Sequence, residues 1–137
     1  MDISADDCNK LSKGHLPGLL DLKIISIEKD LVVAEMPITN QHMAPNGYVH
    51  AGAIVSFADT CCGYGCLTNL AEGTGFTTIE LKSNHLSTAQ HGVMTCQARP
   101  IHVGGSTHVW DAVIKHKETD KTLAFFRCTQ MILKSKK

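Results

Sequence analysis

The sequence has no net charge: 13 Lys and Arg balance 13 Asp and Glu. No overall field therefore draws in nucleic acid or an anionic membrane, and neither is expected as a partner. No run approaches the roughly 18 consecutive apolar residues of a membrane span. The opening MDISADD is acidic and polar, without the basic-then-apolar layout of a secretory signal. No internal repeat, low-complexity tract or linker divides the chain. Eight histidines and six cysteines are present, yet they form no CxxC pair, HExxH or closely spaced His/Asp set, so no metal is expected. Cys62 and Cys66 stand four apart, and His102 and His108 flank a glycine turn, but neither spacing makes a ligand set. Gly104-Gly105 is not a phosphate loop, because no GxxxxGK[ST] pattern leads from a strand into a helix.

What is present is a chain of 137 residues, 43% hydrophobic and 19% charged. That is one soluble domain, residues 1–137, able to bury a core without staples. The cysteines are Cys8, Cys61, Cys62, Cys66, Cys96 and Cys128. Two are adjacent and three fall within one apolar segment, poor geometry for a disulfide framework and natural for small reduced core residues. The expected compartment is the cytoplasm. The tail Lys134-Ser135-Lys136-Lys137 is the one local excess of charge and reads as a solvated terminus.

Along the chain, residues 5–20 read as a short helix or two, broken by Gly14 and Pro17. Two β-rich runs follow, Leu22 to Glu28 and Leu31 to Ile38, the first alternating Ile25 and Ile27 against Ser26 and Glu28. A turn-rich stretch, Thr39 to Gly47, carries Pro45 and the Asn46-Gly47 signal. From His50 to about Leu70 there is no proline and little charge, and that length favours a helix buried on nearly all sides. Gly63 and Gly65 weaken such a helix, which suggests that a neighbouring backbone comes close there. Strands are expected over Phe76 to Leu86, Gly92 to Val103, Thr107 to Lys117 and Thr122 to Leu133. The last three, on short links, suggest an antiparallel meander. The economical architecture is α+β: five or six antiparallel strands wrapped around one long central helix.

Asp59 lies in the middle of the apolar helix and is the one formal charge between Glu35 and Glu72. Burying a lone carboxylate is costly, and no Lys or Arg lies three or four residues away to pair with it. Either Asp59 faces solvent with Ser56 and Thr60, or its surroundings tune it as a nucleophile or general base. Tyr48-Val49-His50-Ala51-Gly52 follows the turn and should open the helix, where free N–H groups and the positive dipole end suit an oxyanion. Ala51 and Asp59 are then two turns apart, roughly 12 Å on one helix. Both can serve one substrate only if two copies of the chain share the site.

At these residues the chain resembles the 4-hydroxybenzoyl-CoA thioesterase superfamily, in particular its phenylacetic-acid-degradation-type branch. The resemblance rests on Gly47, His50-Ala51-Gly52 and Asp59 nine residues after the histidine, and it extends from His15-Leu16-Pro17-Gly18-Leu19-Leu20 to Gln130-Met131-Ile132-Leu133. It implies the hotdog fold and hydrolysis of an aryl- or fatty-acyl-CoA to free acid and CoA. Coenzyme A is then part of the substrate and no further cofactor is needed. It implies a homodimer or homotetramer with sites between subunits. Asp59 matches the nucleophile or general base, and Ala51 the backbone N–H donor to the thioester carbonyl. His50 matches the motif histidine that orients or contacts substrate, and Thr78 a hydroxyl position near the reactive centre. Gly47 and Gly52 belong to the substrate-binding turn. Phe57, Tyr64 and Phe76 are the bulky candidates to line an acyl pocket.

Two departures stand out. Relatives commonly carry Asn or Gln six residues before the histidine, where this chain has Ala44; Asn46 is the nearest amide. They also often carry Lys or Arg after the fourth family strand, where this chain has Gly104-Gly105-Ser106, so the nucleotide is expected to meet the backbone of that turn and other basic residues such as Lys82 or Arg99. Two other functions remain for such a fold. One is a hydratase or dehydratase, although the His-Phe-Pro opening usual there is missing. The other is a non-catalytic acyl-CoA-binding module, although about 20 residues before the first strand are too few for a DNA-binding segment.

Overall fold

The computed structural model describes residues 1–134; the last three positions of the basic tail lie outside the described residues. Two short helices, α1 (Ala5–Ser12) and α2 (Leu16–Leu19), precede strands β1 (Lys23–Glu28) and β2 (Leu31–Pro37). A 3-10 turn, Asn40–His42, leads to the long helix α3 (Ala51–Thr68). Strands β3 (Gly75–His85), β4 (Val93–Val103), β5 (Thr107–His116) and β6 (Thr122–Leu133) complete the chain. Pro17 does not break the opening helix as expected. It sits in the first turn of α2, where a missing N–H costs nothing and the fixed φ already suits a helix.

All six strands form one antiparallel sheet in the order β1-β2-β4-β5-β6-β3. The expected meander is β4-β5-β6, and Pro37 ends β2 without interrupting it. Helix α3 lies across one face. Val32, Ala34 and Met36 from β2, Met94, Cys96 and Ala98 from β4, and Trp110, Ala112 and Ile114 from β5 are buried beneath it. Burial of a side chain such as Phe57, Ile54 or Ile114 stabilises the fold by roughly 1.5–3 kcal/mol.

The glycines of α3 do admit a close neighbour, but it is aromatic side chains and not backbone. A Cβ at Gly63 would lie 2.8 Å from the Phe76 ring, and one at Gly65 would collide with the Trp110 ring. The alternation in β1 also differs from the expectation. A bulge at Ile25 sends Ile24 into the core and leaves Ile25 48% exposed. Tyr64, a candidate to line the pocket, is engaged elsewhere. Its hydroxyl donates to the Cys8 carbonyl at 3.0 Å and shares a 2.7 Å hydrogen bond with Ser12, fastening α1 to α3.

Candidate active site

The N-terminus of α3 is built by a loop whose polar groups are nearly all used. His42 is fully buried; its Nδ1 accepts from the Thr39 N–H at 3.0 Å, which leaves Nε2 to donate to the Leu20 carbonyl at 2.6 Å. The His42 carbonyl accepts from the His50 N–H at 2.8 Å, so this histidine anchors the residue that opens the helix. Between them Ala44 and Tyr48 close a tight turn, with Gly47 at φ +86°, a conformation that favours glycine. Asn46 stabilises that turn by accepting from the Tyr48 N–H through Oδ1 at 3.1 Å.

His50 then caps α3 with its ring: Nδ1 accepts from the Gly52 N–H at 2.8 Å. A Cβ at position 52 would lie 2.9 Å from that nitrogen, so glycine is what lets the ring fold over the helix end. The Gly52 donor is thereby consumed. No acceptor among the described residues meets the N–H of Ala51, which is exposed at the positive end of an 18-residue helix. One aimed, unused donor remains.

Two turns along, Asp59 occupies a half-buried stripe of α3 with Ser56 and Thr60. The Thr78 hydroxyl of β3 donates to Asp59 Oδ1 at 2.8 Å. A β-bulge makes this possible: Thr78 pairs with Gln130 and Glu80 with Thr129, so Ile79 is extra. Plain alternation would put Thr78 on the outer face with Glu80 and Lys82; the bulge turns it to the helix. Burial pushes the Asp59 carboxyl above its ordinary range, and the Thr78 hydrogen bond opposes that shift without cancelling it. A half-buried carboxylate with a raised pKa and one fixed hydrogen bond is equipped to take a proton or attack a carbonyl.

The residues expected at the nucleotide end of the substrate lie apart from this centre. In the strand register Lys82 lies opposite Arg127 and Arg99 opposite Asp111, on the sheet face away from α3. There Arg127 makes a two-point contact with Asp111 beside a groove of about 430 Å³. Within one chain, therefore, neither Lys82 nor Arg99 stands with Asp59. Gly104, Gly105 and Ser106 form the β4–β5 turn, closed by a Gly104 N–H to Thr107 carbonyl hydrogen bond and tied to β6 through Ile132.

Sequence reasoning also missed two buried polar side chains. Gln130 and His108 are opposite each other on β6 and β5, and Gln130 is also opposite Thr78. Both amide atoms of Gln130 and Nδ1 of His108 are buried without a hydrogen-bond partner. The signal in the sequence is slight: one amide where Phe126 and Cys128 set an inward apolar alternation. Among the described residues, no group of three His, Cys, Asp or Glu side chains is placed to hold a metal ion. Among them, too, no helix is long and apolar enough to cross a membrane.

Residues 46–123, from the turn at Asn46 through α3 to the start of β6, match the family model of the thioesterase superfamily. The chain belongs to that superfamily. This thioesterase is 33% identical over 122 residues to the 1,4-dihydroxy-2-naphthoyl-CoA hydrolase of Listeria monocytogenes, covering 89% of this chain and 98% of the relative. Its fold superposes on a Haemophilus influenzae thioesterase with a TM-score of 0.92, at 26% identity, over 98% of this chain and 93% of the other. Two structures of one Staphylococcus aureus thioesterase match with a TM-score of 0.83 at 33–34% identity, over 85–86% of this chain and 97–98% of theirs. One of these replaces a glutamine by alanine and the other a glutamate 15 positions further on. Ala44 and Asp59 are separated by the same interval. The thioesterase is a thioester hydrolase with the hotdog architecture: one sheet wrapped around one helix.

Proposed function

We propose that this chain hydrolyses an aromatic acyl-CoA to the free acid and CoA. The observation that carries the reading is the Asp59 carboxylate, half-buried, raised in pKa and held by Thr78 at 2.8 Å. Asp59 activates water or attacks the thioester carbon, and the Ala51 N–H receives the oxyanion. The Listeria relative, named for an aromatic acyl-CoA, supports the substrate class. The amide-to-carboxylate interval in the Staphylococcus relative supports Asp59 as the reacting carboxylate, with Ala44 marking an amide this chain lacks.

Ala51 and Asp59 lie on one continuous helix, so about 12 Å of rise separates them. A single thioester spans no such gap. The reading therefore places the Ala51 N–H of one subunit against the Asp59 of another, in a homodimer or a tetramer of such dimers. Thr78 stands on β3, a free sheet edge, which puts the site where two sheets would meet.

Release of thiol from a panel of aryl- and fatty-acyl-CoAs tests the reaction and its specificity together. Turnover on aryl thioesters, abolished in Asp59→Asn, is expected. Saturable acyl-CoA binding with no thiol release would replace the enzyme by a binding module.

A further inference from the structure

Thr78, Gln130 and His108 form one row across three strands, each opposite the next. Directly paired residues hold their Cβ atoms about 4.5–5.5 Å apart on the same face. The first member of the row bonds Asp59. The other two carry three polar atoms with no partner, on side chains that are 0% and 1% exposed. Buried polar groups in native proteins are nearly always satisfied, by protein or by ordered water. An apolar residue in either place would avoid the penalty altogether. The row thus begins beside Asp59, at Thr78, and continues through three buried polar atoms that no protein group satisfies.

We propose that Gln130, with His108, positions the water consumed in hydrolysis beside Asp59, making Gln130 a positioning residue. This rests on the thioesterase reading. A water held between Asp59 and these atoms would have the two to four polar partners that buried water requires. In the reaction its oxygen bonds the acyl carbon, the carbon–sulfur bond breaks, its proton passes to the Asp59 carboxylate, and the thiolate leaves to take up a proton. Gln130 enters no covalent step. Its amide fixes where the water's lone pair points, a task that Ala44 cannot perform and that Asn46, committed to its turn, is not arranged to perform.

The test combines crystallography and kinetics on the full chain. A crystal structure at high resolution is expected to show an ordered water bonded to the Gln130 amide and within reach of Asp59 or Thr78. The absence of such a water overturns the proposal. Gln130→Met keeps the length and removes the amide, whereas Gln130→Asn keeps the amide and shortens it. Positioning predicts that kcat of Gln130→Met falls about 10- to 100-fold with KM little changed, and that Gln130→Asn retains more activity. Packing alone predicts the opposite order, since Met fills the space and Asn leaves a void; that order overturns the proposal. Gln130→Met is expected to melt close to wild type, because Met fills the same volume and the amide makes no hydrogen bond to another protein group. A lower melting temperature or failure to fold would mean that the amide serves the structure, and also overturns it. If wild type releases no thiol, the thioesterase reading fails and the water's role with it. If wild type turns over and Gln130→Met matches it, this proposal alone fails.

Discussion

Thr78 reaches Asp59 only because Ile79 is an extra residue in β3. The bulge converts an outward side chain into the 2.8 Å donor of the candidate carboxylate. A hydrogen bond to a charged group is worth about 1.5–3 kcal/mol. Thr78→Val should therefore lower kcat about 10- to 100-fold. Because the lost bond holds the Asp59 pKa down, the acidic limb of the kcat/KM profile should move to higher pH. Thr78→Ser should keep both near wild type. Steady-state kinetics across pH 4 to 8 would decide.

Asp59→Asn should be nearly inactive and more stable. Burial raises the folded-state pKa of Asp59 above its ordinary 3.8. Between the unfolded and folded pKa values the native state holds the extra proton, so stability falls as pH rises through that window and stays lower above it. The neutral amide escapes this loss. Thermal melts should show the Asp59→Asn variant gaining at neutral pH, with the gain disappearing near about pH 3.

The helix opening separates two substitutions that look alike. Gly52→Ala drives a Cβ into the His50 ring at 2.9 Å and displaces the cap, a loss of about 1 kcal/mol in stability together with a misplaced Ala51 N–H. Ala51→Gly leaves the donor in place and should retain most of kcat. Comparing kcat and melting temperature for the pair measures how far the cap aims the donor.

Asn46→Asp preserves the acceptor that holds the Tyr48 N–H and should leave kcat near wild type. A catalytic amide would instead lose about 100-fold or more when replaced by a carboxylate beside the oxyanion.

In α3, alanine should be harmful where glycine admits a ring. Gly65→Ala gains roughly 1 kcal/mol of helix propensity but overpacks against Trp110, at a cost of typically about 1–3 kcal/mol. Gly105→Ala meets nothing within 4 Å and should be neutral. Urea denaturation would report both.

Much of the fold was legible from the chain. Alternating apolar residues and turn signals located all six strands, and a long apolar stretch with a single charge located α3, because those patterns are local. The helix-opening motif and Asp59 were legible for the same reason. What escaped depends on register. The bulges at Ile25 and Ile79 reverse the face of neighbouring residues with no local signature, so Ile24 went unrecognised as core and the Thr78 face was not derivable from periodicity. The row Thr78–Gln130–His108 exists only after three distant strands align. The outward face of Lys82 and Arg99 likewise follows from strand register, which no local pattern gives.

All six cysteines are buried. Desolvation holds Cys8 at a pKa of about 11 and Cys66 at about 12, and pushes Cys62 and Cys96 well up. Only a thiolate reacts readily with a disulfide or maleimide reagent. With all six thiols buried, the native protein should be silent toward a chromogenic thiol dye, leaving the colour in an assay to the product alone. Once the chain melts, the same dye would label it at up to six positions, turning an interior of small sulfur side chains into a built-in gauge of unfolding.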